Sequence, residues 1–158
     1  MRALLLIPAI IVFGASTGCS NANTAEQPTA LTADLISGHS VSGMQWGPVP
    51  SVLPPGAQIA VLQGNPFGTG VYTLRLKMPP GYTIPPHFHP TDEMATVISG
   101  NLLLGHGDVI NEKETNLLHA GGFLTAVAGE HHYVIARGAT IVQVHGEGPF
   151  AITYVNPR

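Results

Sequence analysis

From Val71 to Met78 the chain reads VYTLRLKM. Tyr72, Leu74, Leu76 and Met78 share one parity, and Val71, Thr73, Arg75 and Lys77 the other. A period of two is the mark of a strand with one buried face. Shorter apolar runs at 58–62, 123–127, 132–137, 140–145 and 150–155 predict further strands, and 94–104 holds two around Ser99-Gly100-Asn101. Turn chemistry separates them: Pro54-Pro55-Gly56, Asn65-Pro66-Phe67-Gly68, Pro79-Pro80-Gly81, residues 105–108, Gly129, Gly138 and Gly148-Pro149. Residues 111–119, short and polar, are the one predicted helix, with at most a single helical turn at 31–36. Closely spaced short strands between Gly/Pro turns indicate an antiparallel sandwich or small barrel. Trp46, in a proline-rich lead-in, is expected to plug one end of its core.

Composition supports this reading. The 158 residues suffice for one domain, with 44 % hydrophobic and only 9 % charged residues, 19 glycines and 14 prolines. That balance argues against a helical bundle. The net charge is −3, and the six basic residues form no cluster, which argues against nucleic-acid binding.

The N-terminus reads as a targeting segment. After Met1-Arg2, residues 3–13 form an apolar run too short to span a membrane comfortably, and Pro8 interrupts it. Gly18-Cys19 then resembles the end of a bacterial lipobox, in which the cysteine is lipidated. Ser16 stands where an aliphatic residue is usual, so plain cleavage after a small residue such as Ala22 is the alternative. Either way the mature chain is exported, and Cys19 would give its only membrane attachment. The expected organisation is a signal at 1–19, a flexible linker at 20–40 and a β-domain at 41–158. With one cysteine, no disulfide forms within the chain.

The chemistry concentrates in residues 81–100, GYTIPPHFHPTDEMATVISG. On a strand His87 and His89 point one way and Phe88 the other. Glu93 has the same parity, and a corner at Pro90-Thr91-Asp92 would turn it back towards the imidazoles. Two neutral nitrogens and a carboxylate converging on one point make most of a transition-metal site.

This stretch fits G-x5-H-x-H-x3-E-x6-G and resembles the first motif of the cupin superfamily. Gly121, Gly129 and His132 resemble the second motif, G-x5-P-x-G-x2-H-x3-N, with Val127 and Ala136 in place of its proline and asparagine. The resemblance implies an all-β, double-stranded β-helix (jelly-roll) barrel. It implies a metal inside, held by His87, His89, Glu93 and His132. Three imidazoles and a carboxylate suit Mn, Fe, Co, Ni, Cu or Zn, and octahedral coordination would leave two positions open. Barrels of this type pair through edge strands, so a homodimer is expected.

Gln143 and His145 share a strand face opposite Val142 and Val144, and are expected either to line the pocket and orient a ligand or to face solvent. The resulting expectation is a metal-dependent enzyme acting on a small molecule, by oxygenation or another metal-assisted step. In it Glu93 would double as proton acceptor. The rival reading is a non-catalytic metal- or ligand-binding module.

Overall fold

The computed structural model describes residues 38 and 40–156. The targeting segment, Cys19 and the helical turn at 31–36 lie outside the described residues, as does nearly all of the linker. Among the described residues eleven strands run in order: β1 Gly47–Pro48, β2 Gln58–Gln63, β3 Gly70–Met78, β4 Thr83–Phe88, β5 Glu93–Ser99, β6 Asn101–His106, β7 Asn116–His119, β8 Phe123–Ala126, β9 His132–Ala136, β10 Thr140–Gly148 and β11 Thr153–Tyr154. They form two antiparallel sheets, in the orders β1-β2-β3-β10-β5-β8 and β11-β4-β9-β6-β7. This is the expected all-β jelly-roll barrel. No helix among the described residues is long and apolar enough to cross a membrane.

Alternation on β3 builds the interior as predicted. Tyr72, Leu74, Leu76 and Met78 are buried with Val142 and Val144 of β10 and Ala95 and Val97 of β5. From the other sheet, Ile84, Leu102 and Ala136 join the same cluster. The predicted turns form: Gly68 N donates to Asn65 O at 3.0 Å, and Tyr82 N to Pro79 O at 3.1 Å. Gly100 joins β5 to β6 at φ +79°, where a Cβ would lie 2.2 Å from Ala139 O, so no other residue fits that turn unstrained.

Three expectations are corrected. The helix over 111–119 is absent. Glu112–Glu114 make one 3-10 turn capped by the Asn111 side chain, and β7 pairs with β6. Only one of the two leucines there packs on the core, Leu118, while Leu117 is exposed, so strand alternation wins over the helix-forming charges. Gly105 is not a turn residue but lies within β6, opposite Tyr133 of β9. A Cβ there would fall 2.0 Å from the Tyr133 ring, which packs flat on the bare backbone. Trp46 does not plug the core. It is half-buried beneath Lys77, whose Nζ lies 5.5 Å from its ring centre on the outward face of β3.

Candidate metal centre

β4 and β9 are neighbours, and His87 and His132 are register partners across them, with ring centroids 4.2 Å apart. Reaching that register takes an irregularity. Ile84 pairs with Val134 and His87 with His132, so β4 carries one extra residue between the pairs. Pro85-Pro86 occupies the bulge, as prolines without N–H groups interrupt a ladder. Ile84 and His87 therefore both face inward despite their odd spacing. His89 follows just beyond the strand, and residues 89–92 turn the chain into β5, which begins at Glu93.

All three histidines are buried, and one ring nitrogen of each lies within 4.8 Å of the others. Backbone carbonyls fix their tautomers. Nδ1 of His87 donates to Pro85 O at 2.6 Å, Nδ1 of His89 to Ala151 O at 2.8 Å, and Nδ1 of His132 to Glu130 O at 3.1 Å. A carbonyl only accepts, so each Nδ1 carries the proton and each Nε2 presents a lone pair. Nε2 of His89 is buried without a hydrogen-bond partner, a costly state for a polar atom that bound metal would relieve.

Burial keeps these rings neutral. It pushes His87 down to about 3, aided by the neighbouring His132 and opposed by the Pro85 carbonyl. Burial likewise lowers His89 and His132, against the pull of the Ala151 and Glu130 carbonyls. Neutral imidazole is the metal-binding form.

Glu93 Oε1 stands 3.7 Å from His89 Nε2. That is too long for a hydrogen bond, and a neutral imidazole makes no ion pair. It is near the spacing of two donors on one ion, since bonds of about 2.0–2.2 Å set them roughly 3–4 Å apart. Glu93 lies outside the mutual 4.8 Å of the three histidines, so it flanks the group rather than completing it. Burial raises its carboxyl to about 7. The donor set, the carbonyl-fixed tautomers and the unpartnered nitrogen all fit a divalent transition metal. His87, His89 and His132 would hold it, with Glu93 within reach.

Gln143 and His145 do not line this centre. Val142 and Val144 take the inward positions of β10, and the polar pair lies on the outward face. There Gln143 accepts from Arg75 Nε at 3.0 Å and contacts His145 Nε2 at 3.2 Å, while His145 Nδ1 meets Thr73 Oγ1 at 3.0 Å. The sheet's alternation puts them on the far side. His131 likewise points away from the centre, stacked on Phe88 and bonded to Asp108 at 2.6 Å. The three tautomer-fixing carbonyls had no side-chain signal in the sequence.

The family model described as the cupin domain matches residues 74–145, which span β3 to most of β10 and carry all four candidate ligands. Over this stretch the chain is identified as a cupin domain. Among solved structures, this cupin resembles the polyketide cyclase RemF from Streptomyces resistomycificus at 16 % identity and a TM-score of 0.65, covering 78 % of this chain and 87 % of that one. An RmlC-like cupin from Shewanella frigidimarina matches at 13 % identity and a TM-score of 0.55, over 69 % and 87 %. An oxalate oxidase matches at 21 % identity and a TM-score of 0.52, over 82 % and 68 %. At these identities the likeness establishes the fold alone. No curated protein matches the sequence.

Proposed function

We propose that this cupin is an exported, metal-dependent enzyme that acts on a small molecule, by oxygenation or another metal-assisted step. The observation that carries the reading is the buried trio of neutral imidazoles, each held through Nδ1 by a backbone carbonyl so that Nε2 presents its lone pair. The oxalate oxidase and polyketide cyclase among its structural relatives are consistent with such chemistry.

When bound, the metal would polarise an oxygen of a chelating ligand and lower the barrier to charge development there. The chain's own residues supply the rest. Pro85, Glu130 and Ala151 lock the ring orientations through their carbonyls. Leu53, Ile59, Leu74 and Phe150 line the cavity beside His87, His89 and Glu93 and exclude bulk water. Glu93, with its carboxyl poised near neutrality, is the group that would hold or take a proton at Oε1.

Metal analysis of natively purified protein beside His87→Ala and Glu93→Gln is the test. Stoichiometric metal is expected in the wild type, loss in His87→Ala and weakened retention in Glu93→Gln. Equal metal in all three would overturn the site.

The apolar walls also favour a second reading, a non-catalytic module in which the metal braces the barrel or anchors a ligand. Azide added to Co²⁺-loaded protein separates the two. A changed visible spectrum shows an open coordination position and supports the enzyme, and an unchanged one supports the module.

The sequence around Gly18-Cys19 supports placement at the cell envelope, with Cys19 as lipid anchor. Fatty-acid labelling that is absent from Cys19→Ser tests the anchor. Its absence from the wild type leaves plain signal cleavage.

A further inference from the structure

A second cavity lies against the metal centre. It has a volume of about 430 Å³ and is walled by residues 51–55, Pro85, Ile152, Tyr154 and Asn156. The cavity beside His87, His89 and Glu93 is far smaller, about 40 Å³. At roughly 10–15 Å³ of such volume per water, the inner space holds a few waters. The outer one falls in the range of about 300–1,000 Å³ typical of small-molecule sites. Leu53 and Ile152 line both, so these two side chains form the partition between them. Two residues of the outer wall also reach His87. Pro85, in its wall, supplies the carbonyl that orients His87, and the Tyr154 ring lies 6.1 Å from the His87 ring.

The walls define what the chamber accepts. Among the described residues none of its lining side chains is charged. Three are prolines, and the polar groups are Ser51, Asn156 and the Tyr154 hydroxyl, which donates to Val52 O at 2.7 Å. A dianionic substrate would find no cation here outside the metal itself. An uncharged, mainly apolar or aromatic body with one or two hydrogen-bonding groups matches the surface.

Both partition residues lie outside the strands. Residues 51–55 belong to no strand. Tyrosine hydroxyls hold the segment on either side of Leu53, Tyr154 at the Val52 carbonyl and Tyr82 at the Pro54 carbonyl. Displacing Leu53 therefore breaks no sheet ladder.

We infer that the outer chamber is a substrate-binding site for the uncharged, apolar body of a chelating small molecule, whose head group reaches the metal past Leu53 and Ile152. The inference rests on the metal reading above and names the substrate class of that site.

The test uses two hydroxamates with the same chelating head. Acetohydroxamate carries a methyl group, and benzohydroxamate a phenyl ring that the chamber would receive. Each is titrated into Co²⁺-loaded protein and followed by its visible spectrum. Benzohydroxamate is expected to bind at least about tenfold more tightly. Val52→Glu sets a charge in the outer wall at a position 43 % exposed, where folding tolerates it. It should cut that ratio to below about threefold while Co²⁺ is retained. Leu53→Ala should speed removal of Co²⁺ by excess dipicolinate several-fold.

Equal binding of the two hydroxamates, or a ratio that Val52→Glu leaves unchanged, overturns the inference. Failure of the metal reading shows separately, as Co²⁺ held equally by wild type and His87→Ala. The chamber is then judged in metal-free protein with benzamide, which lacks the chelating head. Methyl NMR shifts confined to Leu53 and Ile152 uphold the chamber, and no shift there rejects it.

Discussion

At the scale of single residues, Glu93 is the candidate ligand that burial brings nearest to neutrality. Desolvation lifts its carboxyl from an ordinary 4.5 to about 7, so metal-free protein at pH 8 holds a largely desolvated charge. For an acid raised in the fold, the stabilising contribution is complete below about pH 4.5 and lost as pH rises through 7. Glu93→Gln should therefore stabilise the metal-free domain at pH 8 by about 3 kcal/mol, read by urea denaturation, and weaken metal binding. A destabilised metal-free variant would contradict the buried-charge account. The histidines add no comparable competition for protons near neutrality, because burial lowers all three. The apparent metal affinity should rise about tenfold per pH unit between pH 5 and 7 in the wild type, and should flatten in Glu93→Gln. Competition titrations against a chelator of known proton affinity measure both slopes. His87, His89, Glu93 and His132 were legible in the sequence because motif spacing survives folding. The tautomers were not, because they depend on backbone carbonyls as distant in sequence as Ala151.

At the scale of elements, two irregularities place the ligands. The Pro85-Pro86 bulge brings His87 into register with His132. Gly105 lets Tyr133, the neighbour of His132, lie flat against β6. The Tyr133 hydroxyl then donates to Asn111 O at 3.0 Å and accepts from Asn111 N at 2.8 Å, tying the loop after β6 onto β9. Gly105→Ala forces the ring off this surface. Overpacking of this kind costs about 1–3 kcal/mol, and the upper end is expected, as Tyr133 is 1 % exposed. Combining it with Tyr133→Leu should recover part of the loss, a coupling that chemical denaturation of the double-mutant cycle measures. Strictly additive losses would show that the glycine serves another purpose. The β3 strand was legible because its alternation is long and clean. β7 was not, since four residues carry too little pattern to outweigh polar helix formers upstream.

At the scale of the whole molecule, both sheets contribute to the candidate metal centre: β4 and β9 come from one, and β5, which carries the flanking Glu93, from the other. Metal binding should therefore act as a clamp on the entire barrel. At a metal concentration about a hundredfold above Kd, linkage adds about 2.7 kcal/mol, on the order of 10 °C in Tm for a domain of this size. Calorimetry with and without a chelator should show that rise, and a larger one at pH 8 than at pH 5.5, because below about pH 7 a protonated Glu93 offers the ion no negative charge. In metal-free protein His87 works in the opposite sense. Its stabilising contribution is present above its ordinary 6.5 and declines as pH falls towards about 3, so acid destabilises that form. The sequence by itself determined the strand architecture and the identity of the candidate ligands, because strand period, turn residues and motif spacing are local properties of the chain. Tertiary structure alone decided that Gln143 and His145 face outward, that Trp46 lies under Lys77, and that Leu53 and Ile152 stand between two cavities. Those facts depend on which face of a sheet meets another segment, and no local pattern records what arrives from a hundred residues away.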